Sequence, residues 1–207
     1  MKMVLFMAAL CLAALSLAGM SAAADSQATQ NQTINSYQGN LSEKSLDFVS
    51  MTGLFGKLGF AVSEMTKFTA PKQAWKLKTV NILAYDGYNG TVDSIPPQRI
   101  IALEVRDKDR NLLYRMSDSQ LPYTNYAFNI TEPLWLTIGL PSIPVSGEFY
   151  VCFYDRGAVF VAFENLNKTS ENSFFYNMAL DEQIPATLPL AKNQTAQVNW
   201  IMSLSGS

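Results

Sequence analysis

Short apolar or alternating stretches, each closed by a turn signal, follow one another along this chain from about residue 59. In residues 99–106 the apolar side chains recur with a period of two, so Ile101, Leu103 and Val105 share one face. Residues 134–140 repeat the pattern, and aromatic and β-branched residues, which strands favour, are plentiful. Short strands separated by turns are typical of two packed antiparallel sheets. The pattern therefore predicts an all-β sandwich.

We predict strands at 59–69, 75–85, 99–106, 112–116, 123–130, 134–140, 147–154, 159–164, 173–176 and 197–204, and no helix after residue 24. Residues 149–154 are apolar on both faces, which predicts a central strand covered on each side. The Asp/Asn-rich residues 107–111 predict a hairpin turn, because the glycine and distant carboxylate of a calcium loop are missing. Residues 54–60 are apolar and glycine-rich, which fits an edge strand, a bend or an exposed docking patch.

The first 24 residues have the organisation of an export signal. Lys2 precedes an apolar run, and three alanines before Asp25 offer a cleavage site. A retained membrane anchor is the alternative, since about 20 apolar residues cross a bilayer. Residues 25–50 are rich in Ser, Gln, Asn and Thr, which predicts a flexible polar linker. We therefore expect a signal peptide or anchor (1–24), a linker (25–50) and a β-sandwich domain (51–207) in a secreted or cell-surface protein.

The chain contains no histidine, and this excludes several classes of function. Ser-His-Asp and Cys-His hydrolases, His-ligated zinc sites and most copper sites all need that side chain. With 15 basic and 17 acidic residues, the chain also lacks the positive charge that binds nucleic acids or anionic membranes. We expect no catalytic residue, no metal, no cofactor and no nucleic-acid partner, and membrane contact only through an uncleaved N-terminal segment.

Cys152 is the one cysteine outside the leader, so the processed chain would have no internal disulfide. Its place in the apolar run 149–154 predicts a buried, unreactive side chain.

Six Asn-x-Ser/Thr sequons predict N-linked glycosylation. They exceed what chance gives for this composition, and each falls in a predicted linker, turn or strand end. The alternative is an Asn- and Thr-rich composition in an organism without the modification. The candidate acceptors are Asn31, Asn40, Asn89, Asn129, Asn167 and Asn193.

Several segments together resemble an accessory jelly-roll β-sandwich domain of archaeal and bacterial secreted and surface proteins. They are FTAP (68–71), AWKL (74–77), IIALEVRD (100–107), WLTI (135–138), PVSGEFYV (144–151) and NWIM (199–202). The resemblance extends from about residue 66 to the C-terminus, and PVSGEFYV is its most specific part. It implies a jelly-roll topology and a non-catalytic module. It also implies an acidic residue followed by a serine, for which Glu164 and Ser173 are the counterparts, with a sequon between them.

Aromatic residues in the predicted strands are the candidate ligand-binding residues. Flat rings with polar tips stack on sugar faces, which favours Trp135, Tyr150 and Tyr154, together with Trp75. Packing into the core is the alternative for each of them, and it is the expectation for Trp200. We expect an extracellular non-catalytic binding or display module for carbohydrate or a cell-surface protein. A structural subunit of a cell-envelope assembly is the first alternative, and a small hydrolase using two carboxylates is the second.

Overall fold

The computed structural model describes residues 30–85, 100–120, 135–156, 159–189 and 194–207. Their regular structure is almost entirely strand, with the short helix α1 (Met51–Phe55) and two 3-10 helices at Leu41–Glu43 and Gly56–Ala61. The all-β prediction is confirmed. The strands are β1 (Gln32–Asn35), β2 (Leu46–Val49), β3 (Val62–Thr69), β4 (Trp75–Tyr85), β5 (Ile100–Asp107), β6 (Leu112–Gln120), β7 (Trp135–Val145), β8 (Glu148–Tyr154), β9 (Phe160–Leu166), β10 (Ser173–Asn177), β11 (Glu182–Pro185), β12 (Thr187–Pro189), β13 (Thr195–Trp200) and β14 (Met202–Gly206).

The described strands form two antiparallel sheets. The first has eight strands, in two halves with the orders β1-β14-β4-β7 and β12-β13-β9-β2. The halves are joined where the end of β4 pairs with β9, at Ala84↔Val161 and Tyr85↔Phe160. The second sheet has six strands in the order β11-β10-β3-β8-β5-β6. β8 is therefore a central strand, as its sequence predicts.

The main hydrophobic core lies between the two sheets and draws side chains from both. In β5 the predicted inner face is buried, since Ile101, Leu103 and Val105 are at most 1 % exposed. In β7 the same alternation places Leu136 and Ile138 on the inner face, and both are buried. Burying one such side chain contributes about 1.5–3 kcal/mol, so the alternating side chains of both strands help to hold the sheets together.

Residues 31–50 differ from the flexible linker that the polar composition of residues 25–50 predicts. β1 pairs with β14 over four residues, and β2 pairs with β9 over another four. Ile34 and Val49 each pack against the main core. A segment becomes ordered when its backbone hydrogen-bonds to a neighbouring strand and a few of its apolar side chains pack into the core. Amino-acid composition does not reveal these pairings. Residues 31–50 therefore belong to the same compact unit as the rest of the sandwich.

The sequence pattern predicts no helix after the leader, and this prediction is wrong at residues 51–55, which form α1. Ser50 caps α1, because its Oγ accepts a hydrogen bond from the Gly53 amide at 3.1 Å. A 3-10 helix follows directly, so residues 54–60 form a helical bend and not an edge strand. Within this bend Phe55, Leu58 and Phe60 are exposed, Leu58 by 76 %.

The last predicted strand, 197–204, is two strands separated at Ile201. The amide of Ile201 donates to Ala162 O in β9 at 3.1 Å, and its carbonyl accepts from Leu83 N in β4 at 3.2 Å. The chain thus leaves one half of the sheet and joins the other at this residue. The predicted strand 123–130 and the predicted leader lie outside the described residues. Across the described ranges, no helix has the length and hydrophobicity to span a bilayer.

Candidate functional site

A row of polar side chains crosses four neighbouring strands on the outer face of the eight-stranded sheet. Asn35 in β1 pairs with Ser203 in β14, Ser203 pairs with Asn81 in β4, and Asn81 pairs with Thr137 in β7. Residues that pair directly point to the same face, so the four side chains stand side by side. Thr137 Oγ1 donates a hydrogen bond to Asn81 Oδ1 at 2.9 Å. The result is an ordered line of amide and hydroxyl groups.

Two aromatic rings, those of Trp135 and Tyr37, lie beside this row. Trp135 lies two residues before Thr137 on β7, so its ring is on the outer face. Tyr37 lies in the bend after β1, where its ring packs against that of Trp135 and lines the same cavity. Their ring centroids are 6.1 Å apart and their planes differ by 25°. They rest on the small buried cluster that contains Leu83. Partial burial raises the pKa of Tyr37, so its hydroxyl stays protonated and can donate a hydrogen bond.

We call this surface the shelf. It encloses a shallow cavity of about 370 Å³, and none of the seven described residues that line it is charged. A flat ring beside amide and hydroxyl groups can stack on one face of a sugar and hydrogen-bond its hydroxyls. The lining residues are Thr33, Asn35, Tyr37, Asn81, Trp135, Thr137 and Ser203.

Tyr154 is not part of the shelf, because it lies on the outer face of the opposite sheet. It is 1 % exposed, and its hydroxyl donates to Glu104 Oε2 at 3.1 Å. The guanidinium of Arg156 covers its ring, 5.2 Å from the centroid. Burial raises the pKa of this phenol far above its ordinary value. Its ring therefore has no free face for a ligand.

Glu104 is the centre of a charged network on that same face. Arg106 Nε and Arg115 Nε each donate to one of its carboxylate oxygens at 2.7 Å. Burial by itself would raise the pKa of Glu104, but the two arginines outweigh it and hold the pKa below its usual range. Arg106 also stacks over the Tyr176 ring at 4.9 Å. These long side chains supply the predicted outer cover of β8.

Of the remaining aromatic candidates, only Tyr150 keeps partial exposure. It is half-buried beside Phe174, with ring centroids 6.3 Å apart, on the face opposite the shelf. Trp75 and Trp200 are fully buried, as the core prediction for Trp200 requires. The structure therefore separates the three leading candidates, with Trp135 on one sheet and Tyr150 and Tyr154 on the other.

Residues 107–111 form the predicted hairpin turn. Asp107 Oδ1 accepts hydrogen bonds from the amides of Asp109 and Asn111 at 2.9 and 2.8 Å, and Oδ2 accepts from Asn111 Nδ2. The side-chain hydrogen bond from Asn111 is the main reason that the pKa of Asp107 is lowered. In the part of the chain that the structure describes, no group of three acidic or cysteine side chains is arranged to hold a metal ion.

Three of the predicted glycosylation sites lie among the described residues. Asn31, Asn40 and Asn167 are all exposed. Asn89, Asn129 and Asn193 lie outside the described residues. Accessibility meets one requirement for the modification, and the modification itself stays a prediction.

Glu164 and Ser173, the counterparts implied by the family resemblance, take different positions. Glu164 pairs with Lys44 at 2.5 Å on the wall of a cleft. Ser173 is fully buried, where its Oγ donates to Asn199 Oδ1 at 3.2 Å and accepts from Trp200 N at 3.1 Å. Ser173 therefore positions Asn199 and does not itself reach the cleft surface.

A pair of carboxyls, Glu64 and Asp155, lies inside the protein. Both side chains are fully buried, and Asp155 Oδ2 accepts a hydrogen bond from the Met51 amide at 2.5 Å. Burial, followed by the negative charge of Asp155, raises the pKa of Glu64 well above its usual value. A substrate has no access to either group, so this pair lacks the exposed cleft that carboxylate hydrolysis requires.

Sequence reasoning missed most of the shelf. Asn35 and Tyr37 fall in the predicted linker, and Asn81 and Ser203 are ordinary polar positions on predicted strands. The alternation Thr33-Ile34-Asn35 is a weak strand signal that points to β1. The pairing of β1 with β14 has no signal in the local sequence.

The comparisons with known proteins return no match. No family, no curated protein and no solved structure matches this chain. The resemblance to jelly-roll accessory domains stays a prediction.

Proposed function

We propose that this chain is an extracellular, non-catalytic module that binds neutral carbohydrate on the shelf. The observation that supports it is the pairing of Asn35, Ser203, Asn81 and Thr137 in one row beside the stacked rings of Trp135 and Tyr37. A sugar ring has an apolar face and a rim of hydroxyls, and the shelf offers a surface for each. The described residues that line the shelf carry no charge, which favours an uncharged sugar.

The proposal includes the finer features that the sequence indicates. The sandwich has a jelly-roll-like topology, residues 1–24 direct export, and the exposed sequons carry glycans. The partner is carbohydrate on a cell surface or in the extracellular medium.

A glycan array probed with the purified protein tests the proposal, after enzymatic removal of any N-glycans that the protein itself carries. Titration calorimetry then measures the affinity for the sugars that score highest. Trp135→Ala should weaken binding at least about tenfold, or about 1.4 kcal/mol, because the stacking surface is lost. Tyr150→Ala is the matched control, since it removes a half-buried aromatic from the opposite face and should leave the affinity unchanged. A silent array, or equal losses in the two variants, contradicts the proposal.

A structural role in a surface assembly is the second candidate. The exposed Phe55, Leu58 and Phe60 on one helical bend favour it, because clustered apolar side chains are typical of contact surfaces. If this role is right, the protein should associate with itself or with a partner protein. Leu58→Ser should abolish that association, and Trp135→Ala should leave it unchanged. Sedimentation of both variants separates the two candidates.

A further inference from the structure

A polar cleft of about 540 Å³ adjoins the shelf. Tyr37 lines both the cleft and the shelf, so its ring stands between them and contributes to each. Each cavity by itself falls in the range of about 300–1,000 Å³ that small-molecule sites occupy. A ligand that stacks beside Tyr37 on the shelf therefore lies next to a second cavity.

The floor of this cleft is held rigid. Asn199 is 6 % exposed, and its Nδ2 donates to Ser36 O at 3.2 Å while its Oδ1 accepts from Ser173 Oγ at 3.2 Å. An amide whose own hydrogen bonds are made inside the protein does not need to be ordered when a ligand arrives, which reduces the cost of binding.

The wall of the cleft offers both donors and acceptors. Lys44 and Glu164 form an ion pair in which each side chain is about one-fifth exposed. Lys168, Glu171 and the exposed side chain of Asn172 also line the cleft. The two positive and two negative side chains among its described lining residues balance, so the cleft offers hydrogen bonds to hydroxyl groups in both directions without selecting a net charge. The same class of ligand that suits the shelf, a neutral polyhydroxy compound, therefore suits the cleft.

From this continuity we infer that the ligand is an oligosaccharide chain and not a single sugar, with one unit on the shelf and further units in the cleft beyond Tyr37. The inference rests on the proposed function and adds the size of the ligand and its path. The shelf supplies the aromatic stacking, and the cleft supplies hydrogen bonds to the next units.

The test compares affinities along ladders of defined length. The probes are glucose, its β-1,4-linked and α-1,4-linked oligomers up to the hexasaccharide, and the matching ladder of the highest-scoring array sugar. We expect the longest oligomer of the recognised ladder to bind at least about tenfold more tightly than its monosaccharide, because a second set of contacts is made at no further cost in overall rotation and translation.

Two variants divide the contributions. Asn172→Ala should remove most of the gain with length and change the monosaccharide affinity less than about twofold. Trp135→Ala should weaken every member of the ladder. Thermal unfolding of both variants must match that of the wild type, and Tyr150→Ala again serves as the control.

The outcomes separate the two proposals. If Trp135→Ala weakens binding but affinity does not grow with length, the cleft is not part of the site and the inference is wrong while the proposed function stands. If affinity grows with length equally in the wild type and in Asn172→Ala, the extra units follow another path and the inference is likewise wrong. If no sugar of any length binds, both proposals fail.

Discussion

Glu64 should make the stability of this protein fall as the pH rises above the ordinary range of carboxyl groups. Its carboxyl is fully buried on the core side of β3, and no donor side chain among the described residues reaches it. The carboxyl of Asp155 lies beside it, and two carboxyls can share a hydrogen bond only when one of them is protonated. Glu64 therefore keeps its proton in the folded protein.

The magnitude follows from proton linkage. In the unfolded chain Glu64 titrates near its usual pKa of about 4.3, whereas burial raises its pKa in the folded state. The contribution of protonated Glu64 to the free energy of unfolding is therefore fully present below about pH 4.3. Above that pH it falls by about 1.4 kcal/mol for each pH unit until the pKa of the folded state is reached. Two pH units of such titration cost about 3 kcal/mol, a large part of a typical stability of about 5–15 kcal/mol.

The absence of histidine makes this measurable. Between about pH 5.5 and 7.5 no side chain with an ordinary pKa titrates in this chain, so any slope in stability reports a shifted group. Urea unfolding at several pH values across this window gives the free energy of unfolding for the wild type and for Glu64→Gln. The variant keeps the shape and a donor but cannot ionise, so its curve should lose the slope that Glu64 gives the wild type and should lie above that of the wild type at pH 7.

Thr66→Val is the matched control, two residues along the same strand. Its Oγ1 is buried without a hydrogen-bond partner among the described residues, so replacing the hydroxyl with a methyl should stabilise the protein by about 1 kcal/mol. That gain should be equal at every pH. Parallel pH curves for the wild type and Glu64→Gln would refute the reasoning, because they would show that Glu64 titrates alike in the folded and unfolded states.

Two further predictions concern the core. Cys152 is fully buried and its pKa is raised to about 12, so the native protein should resist thiol reagents at pH 8 and react at the unfolding rate, which mass spectrometry of the labelled chain can follow. Gly206→Ala should destabilise the protein by about 1–3 kcal/mol in urea, because the new Cβ would lie 2.2 Å from Lys76 O and 2.7 Å from the Trp75 ring. Gly139→Ala, in the exposed face of β7 with nothing within 4 Å of the new Cβ, should change stability by less than about 0.5 kcal/mol. Rapid labelling of native Cys152, or equal effects of the two glycine changes, would contradict these predictions.

The strands were predictable where the sequence alternates over a long stretch. β4 has the predicted bounds, and β5 buries Ile101, Leu103 and Val105 as its period of two requires. The turn at 107–111 was predictable because an aspartate hydrogen-bonds the amides that follow it. Each of these features depends on residues that are neighbours in the chain.

The candidate site was only partly predictable. Trp135 was identified from its residue type and strand position, but the same reasoning selected Tyr154, whose hydroxyl and ring are both occupied by neighbours. A strand pattern tells which residues share a face of one strand. It does not tell whether that face meets solvent or another part of the protein.

Alternation and turn chemistry in the sequence by themselves determined that this protein is built from strands and which side chains of its alternating strands face the core. The lack of histidine by itself excluded a Ser-His-Asp or Cys-His site in this chain. Only the tertiary structure decided that Asn35, Asn81, Thr137 and Ser203 form one row, and that Glu64 lies beside Asp155. The physical reason is range. Backbone geometry and side-chain alternation act over a few residues, whereas strand register brings together positions more than a hundred residues apart, and it is set by how the whole core packs.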